Sequence, residues 1–107
     1  MKINEYQQLA MRTLNKELTK KDLLINSMMG LNGEAGEAID IVKKHLFHGH
    51  HLDKENLIKE LGDIAWYLAE AAYSLDMDLE DVFRLNIEKL KKRYPEGFSV
   101  ADSINHK

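Results

Sequence analysis

The chain has 107 residues, a net charge of −3, one proline and no cysteine. That length fits a single domain able to bury a core unaided, and the lack of cysteine excludes disulfides, zinc–thiolate sites and thiol catalysis. A duplex nucleic-acid binder usually carries a basic surplus, which is missing here, and no apolar run approaches the roughly 20 residues that span a bilayer; the N-terminus also lacks a signal peptide's apolar region, so a cytoplasmic location with neither duplex nucleic acid nor membrane as partner is expected.

The spacing predicts a first helix from about Asn4 to Leu18, with Tyr6, Leu9, Ala10, Leu14 and Leu18 recurring every three or four residues. A polar patch from Thr19 to Asp22 separates it from a second helix, whose stripe is Leu24, Met28, Leu31, Ala35, Ala38, Val42 and Leu46. The segment HGHH, with Gly49 as breaker, should stop that helix. Asp53 is placed to N-cap a third, since its carboxylate can accept a free backbone N–H. The third stripe is Leu57, Leu61, Ile64, Leu68, Ala71, Ala72 and Leu75. Asp78, followed by Asp81, opens the fourth in the manner of a capping box, and Pro95-Glu96-Gly97 ends it. Four amphipathic helices with short connections predict an all-α, four-helix-bundle-like domain over residues 1–107, with about 99–107 as a tail free to be flexible.

The acidic residues of the middle helices fall into two matching pairs. In GEAGEAIDIVKK, residues 33–44, Glu34 and Glu37 share a helical face roughly a quarter-turn or more from the apolar stripe, and Lys44 extends it. In ENLIKELGDIAWYLA, Glu60 and Asp63 repeat the spacing and the offset, and Tyr67 continues the row. The pattern is E-x-x-E, a 22-residue gap, then E-x-x-D. Four converging carboxylates repel one another unless a cation is present. Mg²⁺ suits an all-oxygen set and keeps positions open for water and phosphate; Mn²⁺ would be tolerated. Gly33 and Gly36 flank the first pair and Gly62 lies within the second. Each costs the helix about 1 kcal/mol against alanine, a cost explained if a ligand or a neighbouring helix approaches the backbone there.

GEAGEAIDIVKK, KELGDIAWYLAEAA and NIEKLKKRYPEGF together resemble the MazG-like nucleotide pyrophosphohydrolases of the all-α NTP pyrophosphatase superfamily, over roughly residues 4 to 98. The resemblance implies Mg²⁺-dependent helical oligomers, dimers or tetramers, that hydrolyse nucleoside triphosphates to the monophosphate and pyrophosphate. By motif position it implies Glu34, Glu37, Glu60 and Asp63 as metal-binding acids, Tyr67 as a pocket residue, and Asn86, Lys89 and Arg93 as contacts to phosphate or sugar. The chemistry agrees: phosphoanhydride hydrolysis needs charge neutralisation and an aligned water, with Glu34 or Glu37 to take the proton. Asn86, Lys89 and Arg93 share one helical face, so a polar and cationic row could complete the phosphate site.

Other features have plainer readings. His45, His48, His50 and His51 crowd one turn and could bind a transition metal, but a solvated helix–helix loop explains them. Gln7 and Gln8 could reach a base, though surface glutamines are commonplace. Trp66 and Tyr73 lie on the far side of the third helix from its stripe and are expected to pack against a second chain. A di-iron carboxylate bundle would use E-x-x-H, and neither pair here contains histidine. The remaining alternative to a hydrolase is a non-catalytic module of the same fold that binds nucleotide or a partner protein.

Overall fold

The computed structural model describes residues 1–105 and is all-helical in architecture. Its elements are α1 (Ile3–Met11), α2 (Lys20–Phe47), α3 (Lys54–Ser74), α4 (Leu79–Arg93) and a short α5 (Val100–Asn105). Residues 106 and 107, the end of the expected tail, lie outside the described residues; within that tail α5 forms, with Ser99 Oγ accepting from the Asp102 amide at 3.0 Å.

The first helix is shorter than its periodicity suggested, because one carbonyl is claimed several times over. The Ala10 oxygen accepts from the Thr13 amide, from Thr13 Oγ1 at 2.7 Å and from Trp66 Nε1 at 3.1 Å. The Leu14 amide therefore bonds to Met11 instead, and the chain leaves α1 through successive tight turns. Thr19 N-caps α2 through its hydroxyl, so that helix begins inside the polar patch thought to precede it. Asp53 caps α3 as expected, accepting from the Asn56 amide.

The opening of α4 departs from the capping-box expectation. Asp78 occupies the N-cap position, yet its side chain takes no capping bond. Side chains of α1 do the work. Gln7 Oε1 accepts from the Leu79 amide at 2.8 Å, and Asn4 Oδ1 accepts from the Glu80 amide at 3.2 Å. Gln7 Nε2 also donates to the Ala69 and Met77 carbonyls. Gln7 is thus a buried clamp joining α1, α3 and α4, and its amide is fully used within the fold.

The core lies beneath that clamp: Ala69, Ala72 and Leu79, with Tyr6, Met11 and Met77 packed against them. Small residues on α3 let α1 come close. Trp66 takes part in this contact, its indole also donating to Thr13 Oγ1 at 2.9 Å. Tyr73 stays 39% exposed, with the Lys20 ammonium 4.1 Å above its ring and donating to its carbonyl.

The long helices α2 and α3 pack antiparallel, and they meet through a different face from the one hydrophobicity would select. Asn26 pairs with Glu70, Gly30 lies against Tyr67, and Glu34 and Glu37 face Glu60. The apolar stripes are left only partly covered. Met28, Leu46, Leu61, Leu68 and Leu75, expected in the core, are exposed.

Candidate metal centre

The acid pairs come together because the α2–α3 contact is an antiparallel ladder of small and polar residues. At one end, Asn26 Nδ2 donates to both carboxylate oxygens of the buried Glu70, at 3.1 and 3.0 Å. Burial pushes the Glu70 carboxyl up, and the Asn26 bond opposes that shift. In the middle, Gly30 presents bare backbone to the Tyr67 ring; a Cβ there would overlap the ring carbons. This glycine has a packing reason that the sequence reading overlooked. Conversely, Gly33, Gly36 and Gly62 face open space in the chain, so no helix of this protomer approaches them.

At the other end, one oxygen from each of Glu34, Glu37 and Glu60 lies within 4.8 Å of the others. Glu34 and Glu60 are half-buried and Glu37 is exposed. The facing Glu34 carboxyl is the main cause that pushes Glu60 up to about 7, with partial burial and the Glu37 charge adding to it. Glu34 Oε2 and Glu60 Oε2 are buried with no hydrogen-bond partner. Among the described residues, no other group of histidine, cysteine or acidic side chains converges in this way. The turn histidines do not; His45 Nδ1 donates to the His50 carbonyl at 2.9 Å.

Asp63 stands one turn further along α3, and with Glu34, Trp66 and Tyr67 it lines an open cleft of about 360 Å³. Trp66 and Tyr67 meet edge to face, their ring centroids 5.1 Å apart. Burial, and then the charge of Glu34, pushes the Tyr67 hydroxyl up, so it remains a protonated donor at neutral pH. Trp66 was not foreseen as a cleft residue; its position beside Tyr67 and three residues after Asp63 was the available signal.

The cationic candidates lie elsewhere. Lys44 pairs with Asp40 at 3.0 Å and holds that carboxyl below its usual range. Asn86, Lys89 and Arg93 sit on α4, which packs on α1 and α3, and none of them lines the cleft. Arg93 Nε is buried without a partner.

An all-helical hairpin with three converging carboxylates and a fourth beside a cleft has the donor set of an oxygen-based divalent-cation site. The family model for the MazG nucleotide pyrophosphohydrolase domain matches residues 22–98, and the chain belongs to that family. The match includes all four acids and the α4 row but leaves out α1. The chain is similar to the "Gene 37 protein" of Mycobacterium phage L5, with 41% identity over 81 residues, 72% of this chain and 71% of that protein. No solved structure matches significantly. Among the described residues no helix is long and apolar enough to cross a membrane.

Proposed function

We propose that the chain is a Mg²⁺-dependent nucleoside triphosphate pyrophosphohydrolase, converting an NTP or dNTP and water to the monophosphate and pyrophosphate in nucleotide-pool house-cleaning. The observation that carries this reading is the pair of buried carboxylate oxygens, on Glu34 and Glu60, that no donor in the chain satisfies. Unpaired buried acceptors are costly, and acceptor-only oxygens suit a hard cation. Mg²⁺ therefore fits the residues present, with Glu34, Glu37, Glu60 and Asp63 as its holders and Mn²⁺ as a substitute. When bound, the ion supplies charge neutralisation at the phosphate oxygens and makes water more acidic.

The chain's own groups supply the rest. Glu34 or Glu37 takes the proton from the attacking water. The protonated Tyr67 hydroxyl donates to substrate, and the Trp66 ring beside it offers a face to sugar or base. Asn86, Lys89 and Arg93 would contact phosphate in a homodimer or homotetramer, where α4 can approach a cleft of another copy.

The test is pyrophosphate release from a panel of standard, deoxy and damaged nucleoside triphosphates, with Mg²⁺ or EDTA. Metal-dependent pyrophosphate that disappears in Asp63→Ala supports the reading. Orthophosphate in its place means a different bond is cut. A folded, Mg²⁺-binding protein silent across the panel favours the non-catalytic module.

A further inference from the structure

We propose that Asn26 and Glu70 are positioning residues for the metal centre: their hydrogen bonds fix the register of α2 against α3, and with it the convergence of Glu34 and Glu37 on Glu60. The inference rests on the Mg²⁺ site of the proposed function and names what assembles that site before an ion binds.

Glu70 is 1% exposed, although glutamate is almost never fully buried without a partner. Its partner is a neutral amide, since Asn26 Nδ2 donates to both of its oxygens at 3.1 and 3.0 Å. Among the described residues no cationic side chain pairs with it. The pair stands apart from the acid cluster. Eight to eleven residues separate Asn26 from Glu34 and Glu37, and seven to ten separate Glu70 from Asp63 and Glu60. That is roughly 10–17 Å along the helices, too far to touch an ion held there. A buried polar pair adds little stability over an apolar pair of the same shape. What it adds is selectivity, as a single buried asparagine fixes the register of a coiled coil.

The rest of the contact resists sliding poorly. Buried Ser27 bonds within its own helix, to the Leu24 carbonyl. Gly30 seats the Tyr67 ring, but Gly33, three residues on and facing open space, offers that ring a second seat. A slip of that size would carry Glu60 away from Glu34 and leave Glu70 opposite Met29, which has no donor to give it. A buried acceptor without a donor is costly, so the pair penalises the slipped register. The acid end favours the slip: oxygens of Glu34, Glu37 and Glu60 lie within 4.8 Å of one another, and like charges at that range repel. Without a cation the site therefore works against the register that builds it, and the opposing hold must come from elsewhere on the hairpin. Lys20 also crosses to the end of α3, donating to the Tyr73 carbonyl and to Asp76. Asp76 is 82% exposed, however, and exposed ion pairs hold little.

The chain has no cysteine, so Lys21→Cys and Lys59→Cys, both at exposed positions, take spin labels at opposite ends of the hairpin. A slip of one turn changes their separation by about 5 Å. Dilution with unlabelled chain restricts the distances to those within one chain. Asn26→Leu/Glu70→Met replaces the pair by apolar side chains of similar shape. In EDTA this variant is expected to unfold no earlier than the parent, yet to show a second distance and to bind Mg²⁺ about tenfold more weakly. Glu70→Gln, which still accepts from Asn26, should keep the parent's single distance and its affinity. A purely structural role would lower stability and affinity together at one distance, and that result overturns the inference. So does a Glu70→Gln chain that behaves like the double variant, or a double variant with the parent's distance or affinity. Should the double variant not fold, Asn26→Leu alone, at an exposed position, decides: a second distance supports the inference and a single one overturns it. A parent that binds no Mg²⁺ sinks the metal reading alone, because the distances still judge the register. One that binds Mg²⁺ without releasing pyrophosphate sinks the hydrolase reading alone.

Discussion

Gly30 of α2 lies so close to the ring of Tyr67 on α3 that no side chain fits between them. The contact is the middle rung of the ladder that brings the acid pairs together. Gly30→Ala should therefore destabilise the fold, because overpacking by a methyl group costs about 1–3 kcal/mol, more than the roughly 1 kcal/mol gained in helix propensity. Displacement of Tyr67 should also weaken Mg²⁺ binding. Thermal unfolding and a Mg²⁺ titration check both. Gly36→Ala and Gly62→Ala, in open space, should instead raise stability by up to about 1 kcal/mol each. A Gly30→Ala protein as stable as these would disprove the packing argument.

Glu60 makes the metal-free protein sensitive to pH. Its carboxyl ordinarily titrates at 4.5 and is pushed up to about 7 in the fold, chiefly by Glu34. The folded state thus holds a proton that the unfolded chain has released. The associated stability is complete below about 4.5 and is lost as pH rises towards about 7. In EDTA the melting temperature should fall across that window. Saturating Mg²⁺ should flatten the fall, and Glu60→Gln should remove Glu60's contribution. A melting temperature that rises through the same interval in EDTA would contradict this account.

Gln7 forms three hydrogen bonds, two of them in fully buried surroundings. Gln7→Leu would strand the Leu79 amide and the Met77 carbonyl. With about 1–3 kcal/mol for each unsatisfied buried group, a loss of about 2–4 kcal/mol is expected in denaturant unfolding. Gln8→Ala next to it, exposed in the structure, should change stability by less than about 0.5 kcal/mol.

Trp66 holds the end of α1 through its indole N–H. Trp66→Phe keeps the ring but removes the donor shared by Ala10 O and Thr13 Oγ1. A loss of about 1 kcal/mol is expected, with faster amide exchange in residues 12–14. Unchanged exchange there would mean that the turn is held by Thr13 alone.

Much of this architecture was legible in the sequence. The long helices, the Asp53 cap and the acid pairs all follow from local spacing, which fixes the residues that share a face. Spacing does not say which faces meet. Leu61 and Leu68 look like core, yet the contact between α2 and α3 is made by Gly30, Tyr67, Asn26 and Glu70, which are small, aromatic or polar. Likewise the end of α1 depends on Trp66, more than fifty residues away, and the cap of α4 on Asn4 and Gln7. Long-range hydrogen bonds of this kind leave no periodic trace.

The clamp from α1 to α4 bears on where the domain can be cut. The family match begins at residue 22, but Asn4 and Gln7, well before it, satisfy the first amides of a helix that lies inside it. A fragment trimmed to the matched segment would keep every acid of the site while leaving α4 without its anchor. Shortening the N-terminus, or fusing a bulky tag against it, would accordingly disturb the orientation of Asn86, Lys89 and Arg93 at the far end of the chain before it disturbed the carboxylates.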